Sequence, residues 1–112
     1  MEINSELLED GDIVYGCAFN IDFDRSTCVR DKIVHNKCKP VKGIIKKAYP
    51  FYRSEFIEYG KNGKLKKSSS VRIGSRRYTK TYQECVELYN FIIEEKQQKF
   101  KSIIEEIEKE KI

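Results

Sequence analysis

Apolar side chains recur at Cys85, Leu88, Tyr89, Ile92, Ile93, Phe100, Ile103, Ile104 and Ile107, with polar and charged residues between them. Steps of three and four place them on one face of a helix. Thr81-Tyr82-Gln83-Glu84 fits a capping box at its start: the Thr81 hydroxyl accepts from the Glu84 N–H, and the Glu84 side chain reaches back. The stripe has a gap at Lys96 and Gln97, where apolar residues would have continued it. Its first half, 85–93, is apolar enough to lie on a core. Its second half is a thinner line of Phe100, Ile103, Ile104 and Ile107 among Glu and Lys. At about 1.5 Å per residue, such a helix overhangs a domain of this size. The overhang either pairs with another copy or docks back.

Before residue 81 the pattern is one of short strands. Residues 12–16 follow the turn Asp10-Gly11, and residues 41–45 follow Pro40. Residues 51–59 are aromatic and partly β-branched. Gly60-Lys61-Asn62-Gly63 is the strongest turn signal, and its Asn-Gly suits a type I′ hairpin. Val71-Arg72-Ile73 alternates, and Arg77-Tyr78-Thr79 reads as one more strand before the helix. Residues 20–38 mix Asp22, Asp24, Ser26 and Asp31 with isolated apolar positions. They read as a long loop with a strand near 32–34. The chain shows no internal repeat.

Four to six short strands followed by one helix predict an α+β fold: a small antiparallel barrel or half-barrel at 1–80, with an irregular insert at about 20–38, and a helix at 81–112 packed on it and overhanging it. Asp10-Gly11-Asp12-Ile13-Val14-Tyr15, then Val41-Lys42-Gly43-Ile44-Ile45, then a hairpin, resembles the SH3-like barrels. The run from Arg77 through Tyr82, Glu84 and Cys85 to Tyr89-Asn90 resembles small phage and bacterial proteins in which such a barrel ends in a Tyr-x-Glu helix. The resemblance spans 10–93. It implies a small accessory protein of the anti-defence, anti-CRISPR type, and a fold that hosts protein, peptide and nucleic-acid binding alike.

Charge changes the picture most. From Lys39 to Lys80 there are thirteen Lys or Arg and two acids, whereas 1–38 and 81–112 each hold more acids than bases. A basic middle between acidic ends attracts phosphate or carboxylate surfaces. Lys61, Lys64, Lys66, Lys67, Arg72, Arg76, Arg77 and Lys80 are the candidate partner surface, with Tyr52 and Tyr78 near enough in sequence to stack on bases. A solvated strand edge is the plainer reading, since exposed Lys blocks sheet-to-sheet association. The 112 residues suit one domain with a single modest core. No apolar run approaches the roughly 20 residues of a membrane span. The first residues lack the basic and apolar regions of a signal peptide. The expected place is the cytoplasm, the host's if the chain is phage-encoded, with reduced thiols.

The thiols and the imidazole of the first third, Cys17, Cys28, His35 and Cys38, are the types a zinc site uses. Their spacing argues against one: there is no Cys-x-x-Cys, and His35-x-x-Cys38 is the one close pair. A Cys–His nucleophile is conceivable with the only histidine, His35, but an isolated Cys and a lone His prove nothing about adjacency. No glycine-rich phosphate loop or triad stands out. The expectation is therefore a non-enzymatic binding protein with no cofactor and no metal. Its partner would be a host protein or protein–nucleic-acid complex, met through the basic surface and inhibited by it. The alternative is direct DNA or RNA binding by the same surface. A third reading is an enzyme or metal protein built on the Cys/His set. Phe100, Ile103, Ile104 and Ile107 are expected to pair two copies or to fill a groove on the target.

Overall fold

The computed structural model describes residues 1–24, 32–47, 54–66 and 70–112, with side chains for 1–21, 36–47, 54–66 and 70–112. Five strands, β1 (Ile13–Asp24), β2 (Lys32–Lys47), β3 (Ser54–Glu58), β4 (Val71–Arg72) and β5 (Arg77–Thr79), precede a single helix, α1 (Tyr82–Glu108). Short 3-10 turns lie at Ser5–Leu7 and Ile73–Ser75. All strand pairs are antiparallel, in the order β4-β3-β2-β1-β5. The sheet does not close on itself. The protein is thus an α+β fold, with an open sheet rather than a complete barrel.

In its described parts, 20–24 and 32–38, the expected loop is instead strand, the far ends of the long β1–β2 pair; 25–31 lie outside the described residues. The register of that pair runs from Ile13↔Ile44 out to Asp24↔Lys32. The sequence alternates there: Phe19, Ile21 and Phe23 take one parity, Asn20, Asp22 and Asp24 the other. Period two overrides the turn preference of Asn and Asp. Pro40 has no N–H to give a ladder, and the register slips beside it: Gly16 faces Val41, while Ala18 faces Cys38. The hairpin after β3 also differs in register from the expected type I′ turn. Gly63 N–H donates to Gly60 O, so Lys61 and Asn62 are the central residues. Gly63 follows at φ 77°, the left-handed place that a three-residue loop gives to glycine. Val71 and Arg72 are strand, but Ile73 already opens a 3-10 turn.

The sheet curls strongly. Phe56 of β3 and Tyr78 of β5 are three strand spacings apart in sheet order, roughly 14 Å in a flat sheet. Their ring centroids stand 5.2 Å apart. The space between them is vacated by glycine: a Cβ on Gly16 would meet both rings at 3.1 Å, and one on Gly43 would meet Phe56 at 2.5 Å. Leu8, Val14, Ile45, Phe56 and Tyr78 fill this concave side. The Tyr78 hydroxyl donates to Ile73 O at 2.7 Å, which ties β5 to the 3-10 turn.

A second core lies on the other face of β1. Cys17, Cys85 and Ile92 are buried there, with Tyr15, Phe19, Leu88 and Tyr89 packed around them. This is the first half of the helical stripe, on the sheet as its spacing predicts. Thr81 caps α1, its Oγ1 accepting from Glu84 N at 3.2 Å and donating to Glu84 Oε1 at 2.9 Å. Beyond Phe100 every residue of α1 is exposed. The radius of gyration is 17.3 Å, against about 13 Å for a compact chain of this length. The long hairpin and the distal helix account for the excess.

Candidate functional site

Among the described residues, cations expected to form one surface line several different hollows. Lys61, Lys64 and Lys66 lie on the loop after β3, where Lys66 Nζ bonds Glu58 Oε1 at 2.9 Å. Lys64 lines a shallow hollow with Ile57, Tyr59, Gly63 and Leu65. Arg72 stands opposite Glu55 in the β3–β4 register. Lys80 lines a separate hollow with Leu7, Asp12 and Ile13. Tyr78 is fully buried and its hydroxyl is bonded inward, so it stacks on nothing outside the fold. Lys67 and Tyr52 lie outside the described residues.

Arg76 and Arg77 do share a site, and the helix completes it. A hollow of about 400 Å³ opens between the long hairpin, the segment 74–77 and α1. β1 contributes Ala18, Phe19 and Asn20, and β2 contributes Asn36. The helix brings Ile92, Glu95, Lys96 and Lys99. Four cations and one carboxylate therefore line a single concavity. Lys96 and Lys99 are one turn apart on α1, so both reach the same side.

The two arginines are held in place by partners of different kinds. Arg76 Nη1 donates to Asn36 Oδ1 at 3.1 Å and to Ser75 O at 3.0 Å, which fixes it against β2. Arg77 grips Glu2 with two bonds, Nε to Oε2 at 2.8 Å and Nη2 to Oε1 at 2.6 Å. That fork holds the Glu2 carboxyl below the usual carboxylate range and raises Arg77 further. Asn36 is a neutral acceptor, so the Arg76 charge is positioned without being cancelled.

The Cys/His set is not assembled by the described residues. Cys17 of β1 is buried against Cys85 of α1, and hydrogen bonding to Cys85 followed by burial pushes its thiol up. Cys38 is half-buried; burial raises its thiol, with nearby Arg76 opposing, and its Sγ donates to Lys39 O at 3.3 Å. Both stay protonated near neutral pH, which suits packing rather than attack. Among the described residues, no three His, Cys, Asp or Glu groups converge as a metal site. Cys28 and the His35 side chain lie outside the described residues.

Next to the cationic hollow is an apolar groove of about 640 Å³, walled by Phe19 and Ile21 on the hairpin and by Ile93, Phe100 and Ile104 on α1. Sequence reasoning missed Asn36, Lys96 and Lys99. The signal for the lysines was the break in the helical stripe at Lys96. There the helix leaves the sheet and its inward face meets the mouth of the hollow instead of a core. Compared with protein-family models, curated proteins and solved structures, the chain matches none. Among the described residues no helix is long and apolar enough to cross a membrane.

Proposed function

We propose that this chain is a non-enzymatic binding protein whose hollow between the hairpin and α1 receives carboxylate side chains of a protein partner. The observation that supports it is the convergence of Arg76, Arg77, Lys96 and Lys99 from two separate parts of the chain on one concavity of about 400 Å³. Such a pocket focuses positive potential and rewards a protruding acidic side chain. Phe19, Ala18 and Ile92 give the same hollow an apolar floor, which suits the stem of a Glu or Asp. The setting suggested by the sequence resemblance is a phage or mobile-element accessory protein that inhibits a host nucleic-acid-handling defence complex.

Direct nucleic-acid binding by the same cations is the competing reading. Single-strand binders add aromatic faces on which bases stack. Tyr78, expected in that role, is interior here. The test is fluorescence anisotropy with a labelled poly-glutamate peptide and a labelled single-stranded oligonucleotide of equal charge, at physiological salt. The peptide should bind the wild type and lose at least tenfold in affinity with Arg76→Glu plus Lys96→Glu. Tighter binding of the oligonucleotide, abolished by the same variant, would replace the proposal with the nucleic-acid reading. No binding of either probe would reject the hollow as an anion site.

A further inference from the structure

The distal half of α1 carries an apolar stripe that its own domain does not bury. Ile104 is 58% exposed and Ile107 62% exposed, and Ile103 is at the margin of exposure. What covers the stripe is written in the charges beside it. At 3.6 residues per turn, Phe100 and Ile107 lie on the centre line, with Ile103 and Ile104 to either side. Lys99 and Glu106 border one side of the stripe. Lys101 and Glu108 border the other. Each Lys–Glu pair is seven residues apart, hence on the same flank.

We infer that the stripe is the contact between two copies of this chain, with their helices antiparallel about a dyad between Ile103 and Ile104. In that arrangement Phe100 of each copy meets the partner's Ile107, and the Ile103 and Ile104 side chains meet across the axis. Antiparallel helices bring like flanks together. Lys99 then faces the partner's Glu106, and Lys101 faces the partner's Glu108, giving four opposite-charge pairs per dimer. A parallel pairing brings opposite flanks together, setting Lys99 against the partner's Lys101 and Glu106 against the partner's Glu108. The sequence thus selects one orientation and penalises the other.

An independent feature of the helix points the same way. Its last turns hold Glu105, Glu106 and Glu108, and the final turn has no basic residue. Carboxylates at a helix C-terminus oppose the macrodipole, and within one chain the exposed pair Lys111–Glu108, at 3.0 Å, offsets only part of that. The antiparallel partner brings Lys99 and Lys101 to that end. The contact is isologous, as a two-fold interface requires. With only about three helical turns on each side it is small, so the dimer is expected in the micromolar range.

Sedimentation equilibrium of the full chain over a range of concentrations tests this. The wild type should associate reversibly to a dimer, and Phe100→Glu plus Ile104→Glu should remain monomeric with unchanged far-ultraviolet circular dichroism. Lys101→Glu alone and Glu108→Lys alone should each weaken self-association about tenfold. An equimolar mixture of the two should recover wild-type affinity, because each then meets the opposite sign. A wild type monomeric at every concentration would overturn the inference. A dimer insensitive to the charge variants, or a mixture no better than its parts, would overturn the antiparallel geometry. These substitutions leave Arg76 and Lys96 untouched, so failure here is separable from failure of the hollow.

Discussion

Gly43→Ala is the sharpest probe of how the sheet is curled. The added Cβ would stand 2.5 Å from Cε1 and Cζ of Phe56 and 2.6 Å from the Ile57 carbonyl oxygen. The ring must retreat by most of an ångström to reach ordinary contact. It has nowhere to go, because Phe56 is 1% exposed and lies against Tyr78. The carbonyl is no freer, since its strand pairs with β2 through Gly43↔Glu58 and Ile44↔Ile57. Overpacking of this kind costs about 1–3 kcal/mol. Alanine's lower unfolded-state entropy returns about 0.5–1 kcal/mol in a strand. The net expectation is a loss of about 1–2 kcal/mol, read as a lower urea midpoint with an unchanged slope. In a domain of this size that lowers the thermal midpoint by several degrees. Gly16→Ala, with contacts at 3.1 Å to ring atoms only, should cost less. Gly74→Ala, with no atom within 4 Å, should be neutral. Phe56→Leu should make the Gly43→Ala change less costly than it is in the wild type, a coupling that a double-mutant cycle measures. A Gly43→Ala protein as stable as the wild type would refute the close approach of Phe56 to β2, and with it the curl.

Other outcomes follow from the same geometry. Ile92→Ala should cost about 2–5 kcal/mol in chemical denaturation, since Ile92 is buried under the helix, whereas Ile107→Ala measured in dilute solution should stay within about 0.5 kcal/mol. Tyr78→Phe should cost about 0.5–1.5 kcal/mol by removing the hydroxyl's bond to the Ile73 carbonyl, which then keeps only the longer bond from the Arg76 N–H. The Glu2–Arg77 pair should stabilise the fold above the ordinary carboxylate value of 4.5 and fade as pH falls through the lower folded-state value of Glu2. Both side chains are more than a third exposed, so screening limits that gain to a few tenths of a kcal/mol, visible as a flatter acid limb in Glu2→Gln at low salt.

The helix was legible because its signals agree at every level. Thr81 and Glu84 mark the start, and the apolar spacing marks the buried face. The short strands β3 and β5 were legible for a similar reason, with turn residues on one side and aromatic or β-branched residues within. The long hairpin was not, because two rules conflict along it. Asn20, Asp22 and Asp24 are turn formers by type, yet they occupy alternate positions, and alternation decides once a partner strand lies alongside. The curl of the sheet was illegible for a different reason. Gly16 and Gly43 look like loop residues until their neighbours are known: Gly16 meets the rings of Phe56 on β3 and Tyr78 on β5, forty and sixty-two positions away, and Gly43 meets Phe56, thirteen positions away.

The same distinction explains the fate of the basic segment. A count of charge along the chain records density but not direction, and a curled sheet spreads neighbouring residues over several faces. Arg72 and Arg76 are four residues apart; one stands across from Glu55 in the β3–β4 register, and the other is bonded to Asn36 of β2. Conversely, Arg76 and Lys99 are far apart in sequence and line one hollow. The run of cations in sequence is therefore a poor map of which cations come together in the fold. Their convergence is set by the place where the helix parts from the sheet, near Ile92 and Lys96. There the apolar stripe stops, a cationic hollow opens, and the remaining length of α1 projects with its own apolar line. One departure point thus creates two surfaces of opposite character, and the break at Lys96 is where the sequence records the boundary between them.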